Sequence, residues 1–126
     1  MNKLNCYEIN SYDQFITIIK EKKDKRKILI IYIKNYLIKG LGISWLRTLI
    51  KLINTKYKSY NIKFYIDSGH DYGLSILIMK ENIQYLKIKS NKIIFEKIKQ
   101  IAKKNKVLLN PNFNIVSTQK IKKRFD

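Results

Sequence analysis

The sequence is poor in several residue types on which particular folds and activities depend. Its 126 residues include one cysteine, one histidine, one proline and four glycines. A single cysteine cannot form an internal disulfide, so Cys6 gives no sign of an oxidising compartment. One histidine and one cysteine far apart in sequence, without an acidic cluster, fall short of the usual ligand sets, so we predict no metal site and no cofactor.

Long apolar runs are scarce as well. The longest aliphatic and aromatic run covers residues 28–33, far fewer than the roughly 20 that a helix needs to cross a bilayer. The first ten residues lack the apolar stretch and the small-residue cleavage site of a secretory signal. We therefore expect a protein without a membrane span that resides in the cytoplasm, or in an organelle matrix if an organelle encodes it.

Acidic residues are few, and lysine dominates the charge. Nine acidic residues stand against 27 lysines and arginines, a formal charge of +18. Lysine and isoleucine number 24 each, against three arginines, two valines and one alanine. The codon bias of an A/T-rich genome would produce this pattern whatever the function. Arginine is the residue that nucleic-acid sites favour for its bidentate fork. The charge predicts non-specific, salt-dependent affinity for polyanions, nucleic acid included, and does not establish a function.

Short apolar segments alternate with amphipathic ones along the chain. The β-branched run at residues 28–33 is typical of a strand buried on both faces. Further strands are predicted near residues 4–9, 62–66, 84–89 and 107–109. Helices are predicted after Ser11, over residues 43–57 and 72–80, and after Asn91, with the two named residues as N-caps.

This alternation predicts an α/β fold. We expect a single three-layer domain over residues 1–112, with a mainly parallel sheet of four to five strands and helices on both faces, of the flavodoxin-like, Rossmann-like or STAS-like type. Residues 113–126 are predicted to form a C-terminal segment that ends in a basic tail, Lys120–Arg124. In a sheet covered on both sides, no face would be free for the tyrosines to stack on nucleic-acid bases.

Ligands of parallel sheets bind beyond the carboxyl ends of the strands, so the strand-to-helix loops carry the candidate sites. The loop predicted over Lys34–Gly42 contains two glycines ahead of a helix. Its backbone N–H groups could hold an anion, and the candidate ligand-binding residues are Lys39, Gly40, Gly42 and Ser44. The alternative is a flexible connection that needs positive φ.

The second candidate loop is Asp67–Gly73. His70 could transfer a proton near neutral pH, and Asp67 could orient it or bind a ligand hydroxyl. These two are the catalytic candidates, and the ligand-binding candidates of the loop are Asp67, Ser68, Gly69, His70 and Gly73. The alternative is a tight turn followed by a helix with Asp71 as its N-cap. The loop does not resemble a nucleophile elbow.

The residues Asp67-Ser68-Gly69-His70-Asp71-Tyr72-Gly73-Leu74-Ser75-Ile76-Leu77 resemble the Asp-Cys-Gly…Gly-Leu-Ala…Leu segment of a small α/β family from alpha-proteobacteria. The likeness covers Ile62–Leu109, and Ser68 stands where that family often has cysteine. It implies a bacterial α/β fold and no particular activity. The loop is also similar to the Asp-Ser-(Ser/Thr)-Gly-Leu turn of STAS domains, whose serine is phosphorylated, although four residues here separate Asp67-Ser68 from Gly73-Leu74.

Three functions agree with these patterns. The leading hypothesis is a non-catalytic α/β domain that binds an unknown protein partner or a small anionic ligand at Asp67–Gly73. The second is a basic RNA- or ribosome-associated protein, and the third is an enzyme that acts on a phosphorylated or carboxylated metabolite. The first and third expect the turn at Gly40–Ser44 to share one cleft with Asp67–Gly73.

Overall fold

A computed structural model describes residues 3–117 of the chain. The basic tail predicted at Lys120–Arg124 lies outside the described residues. Strands are β1 (Asn5–Glu8), β2 (Leu29–Ile33), β3 (Ile62–Gly69), β4 (Tyr85–Ile88), β5 (Leu108–Leu109) and β6 (Asn114–Val116). Helices are α1 (Tyr12–Glu21), α2 (Asn35–Leu41), α3 (Ile43–Lys56), α4 (Tyr72–Met79) and α5 (Lys92–Lys104).

The strands form one parallel sheet in the order β5-β4-β3-β2-β1-β6. The predicted α/β fold with a parallel sheet is therefore confirmed. Within residues 3–117 the sheet has six strands rather than four to five, because residues 114–116 pair with β1 in register Asn5↔Asn114. Residues 114–116 of the predicted C-terminal segment 113–126 thus belong to the sheet.

Side chains at the helix starts fix where three helices begin. Ser11 accepts a hydrogen bond from the backbone N–H of Gln14 at 3.3 Å, and Asn91 accepts one from Ile94 at 2.8 Å. Asp71 does the same for Leu74 at 2.9 Å. Each bond satisfies an N–H group that has no partner inside the helix. The three predicted N-caps are confirmed.

The region Lys34–Gly42 is not the loop that the sequence predicted. Residues Asn35–Leu41 form α2, which turns directly into α3 at Gly42. Ile38 is buried, and its burial provides the packing that a helix of only seven residues needs. The sequence does not predict this helix because it contains Gly40, and glycine is a poor helix former.

The five helices of the described part of the chain all contribute to one core. Their buried apolar residues share a cluster with Leu29, Ile31 and Ile33 of β2. From β1 to β5 each strand lies on the same side of the one before it, so successive right-handed crossovers place their helices on the same face. We call this the helix face.

The other face carries a smaller cluster of Cys6, Ile30, Tyr32 and Tyr65, against which Ile28, Tyr85 and Phe113 pack. We call it the tyrosine face. None of the described helices contributes to this cluster. The connection between β5 and β6 joins opposite edges of the sheet, and its Phe113 packs on the rings of Tyr65 and Tyr85. This connection therefore crosses the tyrosine face and supplies its cover.

Candidate functional site

The last residues of β3 are held against the start of α2. The sequence predicted that the loop begins at Asp67, but the strand continues to Gly69. The side-chain amide of Asn35 donates to the carbonyl oxygen of Asp67 at 3.1 Å. Gly69 has φ +63°, and a Cβ atom there would lie 2.9 Å from Asn35 Oδ1. Only glycine meets both conditions without strain. The carboxyl ends of β2 and β3 are thus tied together at one edge of the sheet.

The first set of predicted ligand-binding residues lies at the junction of α2 and α3. Lys39 and Gly40 are exposed in α2, and Ser44 is exposed in the first turn of α3. Gly42 has φ +92°, so the positive φ expected of this segment is confirmed there. The junction follows seven helical residues, which rise about 10 Å from Asn35. Asn35 is the residue of this segment that the structure places against Asp67 and Gly69.

Ser68 acts as an internal link in the second predicted loop. It is fully buried, and its hydroxyl donates to the carbonyl oxygen of Lys87 at 3.0 Å. The hydroxyl of Ser75 donates to Ser68 Oγ at 2.8 Å. The Oγ atom of Ser68 therefore links β3 to β4 and α4. His70 and Gly73, by contrast, are exposed.

An ion pair lies at the carboxyl end of the tyrosine face. Glu8 Oε1 is 3.1 Å from Lys34 Nζ, and the side chain of Glu8 is only 7% exposed against 40% for that of Lys34. Removal of one partner from such a pair leaves an uncompensated charge in a place with little water. The pair therefore fixes the ends of β1 and β2 relative to each other.

Asp67 lies beside this ion pair on the same face. Its Oδ2 accepts a hydrogen bond from the hydroxyl of Tyr32 at 3.2 Å, and its Oδ1 accepts one from the backbone N–H of Gly69 at 2.9 Å. The ammonium group of Lys87 lies 5.8 Å from the centre of the Tyr32 ring. The carboxylate is thus oriented by two donors, yet it is not fully buried.

The titratable groups beneath this surface are held in their protonated forms. Burial raises the pKa of the Cys6 thiol to about 11 and that of the Tyr65 hydroxyl to about 12. The pKa of Tyr32 is raised by burial first and by the negative charge of Asp67 second. A nucleophilic thiol needs a lowered pKa. The environment of Cys6 therefore works against a catalytic role for it.

Four aromatic rings continue from Asp67 across the tyrosine face. Tyr32 and Tyr65 have centroids 5.0 Å apart and are each 4% exposed. Phe113 contacts Tyr65 at 5.5 Å and Tyr85 at 4.8 Å, in both cases edge to face. Tyr85 and Phe113 are partly exposed. The buried pair forms a floor, and the other two rings reach solvent.

Lysines border these rings. Lys63 pairs with Ile30 in register, so it shares the tyrosine face, and Lys87 pairs with Asp67. Both lysines are partly exposed. The face therefore combines partly exposed aromatic rings, ammonium groups and the carboxylates of Asp67 and Glu8.

The sequence reasoning missed most of this surface. Glu8, Tyr32, Lys34 and Lys87 were not among the predicted site residues, and only Asp67 was. The period of two in Lys63-Phe64-Tyr65-Ile66-Asp67 carried the signal, because alternate residues of a strand share a face. This alternation indicates a candidate binding surface only when one face of the sheet is known to lack helix cover.

A separate depression of about 430 Å³ lies on the helix layer, between α3 and the connection from α4 to β4. Arg47 crosses it to Glu81, with Nε 2.7 Å from Oε1. Lys51 and Lys58 also line it. It is a shallow basic groove on the helix layer, remote from the tyrosine face.

No protein-family model matches the sequence, and the search of curated proteins finds no significant match. Within residues 3–117, no group of three or more His, Cys, Asp or Glu side chains is placed to hold a metal ion. In the same range no helix is long and apolar enough to cross a membrane.

Proposed function

We propose that this protein is a non-catalytic binding domain whose ligand is single-stranded nucleic acid, held on the tyrosine face. The observation that carries the proposal is the pair of partly exposed rings, Tyr85 and Phe113, bordered by Lys63 and Lys87. Bases of a single strand stack on aromatic side chains, while ammonium groups contact the phosphates. The loop edge at Asp67–Gly73 forms one end of this surface.

The position of the rings matters more than the number of lysines. A lysine-rich surface attracts any polyanion, single-stranded or duplex. Exposed rings favour the single strand, because paired bases in a duplex keep their faces covered by stacking. A preference for single-stranded over duplex ligand therefore separates this proposal from the general attraction of a chain with charge +18.

The titratable groups support binding over catalysis. The upward pKa shifts of Cys6 and Tyr65 keep a thiol and a phenol protonated near neutral pH. His70 is exposed in the loop, and Asp67 is engaged by Tyr32 and Gly69 rather than by a histidine. Neither hydrogen bond to the Asp67 carboxylate thus comes from His70, the other catalytic candidate.

The test is fluorescence anisotropy with a labelled single-stranded RNA decamer and the matching duplex, at about 0.15 M salt. We expect tighter binding of the single strand. Tyr85→Leu and Phe113→Leu keep apolar volume but remove the rings, and each should weaken single-strand binding by roughly 5- to 100-fold. Duplex binding should change by less than about twofold, since it depends on charge.

Two lysine variants provide a matched control. Lys87→Gln on the tyrosine face should weaken single-strand binding and reduce the slope of log affinity against log salt by about 0.7. Lys51→Gln removes the same charge from the groove on the helix layer and should have a smaller effect. The proposal is wrong if both ring variants bind the single strand like the unmodified protein, or if the two lysine variants behave alike.

A further inference from the structure

An oriented carboxylate at the end of a basic, aromatic surface opposes the binding of phosphates. Asp67 is one of nine acidic residues in the chain, and its negative charge repels the phosphates that the neighbouring lysines would attract. The structure nevertheless holds it in place with the Tyr32 hydroxyl and the Gly69 N–H. Such a group contributes to binding only if it accepts hydrogen bonds from the ligand.

The carboxylate lies within reach of a base on the partly exposed rings of Tyr85 and Phe113. Tyr65 pairs with Tyr85 in register, and Asp67 pairs with Lys87 two residues further along the same strands. Two residues of a strand advance by about 6.6 Å, which the width of a stacked base can bridge. A base that stacks on Tyr85, with the nucleic-acid backbone along the lysines, can therefore present its edge to Asp67.

The chemistry of the acceptor selects among the bases. Each oxygen of Asp67 receives one bond from the protein and retains a second acceptor site, for a carboxylate has about four. Guanine presents two adjacent donors, N1–H and the N2 amino group, on its Watson–Crick edge. Adenine and cytosine present one amino group there, and uracil presents a single N–H.

We propose that Asp67 is a specificity-determining residue which reads the Watson–Crick edge of guanine in the bound single strand. This inference rests on the proposed function and adds to it the class of base. Tyr32 is a positioning residue, because its hydroxyl donates to Asp67 Oδ2 and the residue is only 4% exposed.

The experiment uses the full chain and four labelled RNA decamers. One is all uridine, and the others carry guanosine, inosine or adenosine at the same two central positions. Inosine keeps N1–H but lacks the N2 amino group. We expect guanosine to bind on the order of tenfold more tightly than uridine, inosine to fall between them, and adenosine to behave like uridine.

Asp67→Asn is the decisive variant, since it keeps the shape of the side chain and removes the charge. It should abolish the preference for guanosine while affinity for the uridine decamer is unchanged or increased. Glu96→Gln is the control, because it removes a carboxylate from the exposed side of α5 and should leave the preference intact. Tyr32→Phe should reduce the preference by roughly 2- to 5-fold, and it reports on the same bond if Asp67→Asn does not fold.

The outcomes separate the two proposals. If no decamer binds in preference to duplex, the proposed function is wrong. If the decamers bind as expected but the guanosine preference is absent, or survives in Asp67→Asn, then the role of Asp67 is overturned and the binding function stands.

Discussion

The helix face and the tyrosine face are formed by alternate residues of the same strands, yet they are covered by different means. On the helix face, side chains such as Phe64 and Ile66 are buried by five helices. On the tyrosine face, Tyr65 is equally buried, but its cover includes Tyr85 and Phe113, which are themselves partly exposed.

The difference separates stability from accessibility. The helix face provides most of the buried apolar surface, which is the main source of folding free energy. The tyrosine face buries less and retains polar groups, among them Glu8, Lys34 and Asp67. A surface that contributes less to the free energy of folding can carry polar and charged side chains that bind a ligand.

The comparison is tested most strongly by the removal of one ring from each face. Phe64→Ala should reduce the free energy of unfolding by about 3–5 kcal/mol, because Phe64 is fully buried among the helices. Tyr85→Ala removes a partly exposed ring and should cost about 1–2 kcal/mol. Urea unfolding at constant m-value measures both losses. Equal losses would show that the two faces share the core evenly.

A second prediction concerns Gly69, at the carboxyl end of β3. Gly69→Ala should cost about 1–3 kcal/mol, because Gly69 combines φ +63° with a Cβ position 2.9 Å from Asn35 Oδ1. Gly40→Ala should instead stabilise the protein by about 0.5–1 kcal/mol, since Gly40 is in a helix with open space around it.

The control for that prediction separates backbone strain from contact. In the background Asn35→Ala, the crowding at Gly69 is relieved while its positive φ is unchanged. The cost of Gly69→Ala should then decrease but not vanish. An unchanged cost in both backgrounds would assign the whole effect to the backbone.

The smallest effect is expected in alkaline solution and arises on the tyrosine face. The pKa of Cys6 is raised from 9.0 to about 11 in the folded protein. A raised pKa means that the folded state holds its proton longer than the unfolded chain. The resulting stability is fully present below about pH 9 and is lost as the pH rises through about 11.

Urea unfolding between pH 8 and pH 11 measures this loss, which we expect to be about 1 kcal/mol from Cys6 alone. Tyr65 should add a further decline at higher pH, because burial raises its pKa to about 12. Cys6→Ala should lower stability at pH 8 but show a weaker decline toward pH 11. If the free energy of unfolding of Cys6→Ala declined as steeply, the loss would arise from groups other than Cys6.

Local features of this protein were predictable from local sequence. Ser11, Asp71 and Asn91 are caps because their short polar side chains reach an N–H group three residues ahead. The apolar run through β2 is a strand buried on both faces, and all five of its residues are buried. The sequence did not predict the helix α2, because Gly40 lowers the local helix propensity. In the structure, the burial of Ile38 outweighs this effect.

The candidate site was predicted only at its edge. Asp67 was recognised as a polar residue at a strand end, whereas Glu8, Tyr32, Lys34 and Lys87 come from three other parts of the chain. No local pattern indicates that these residues meet. Their proximity follows from strand order, which is a property of pairing across the sheet.

The sequence by itself determined the alternation of strands and helices, the helix starts and the strand buried on both faces, because these depend on residues within one or two turns of each other. The tertiary structure alone decided that successive strands step in one direction and that β6 returns to the far edge of β1. Right-handed crossovers then place the helices on one side. That choice leaves the tyrosines, the lysines and Asp67 together on the other.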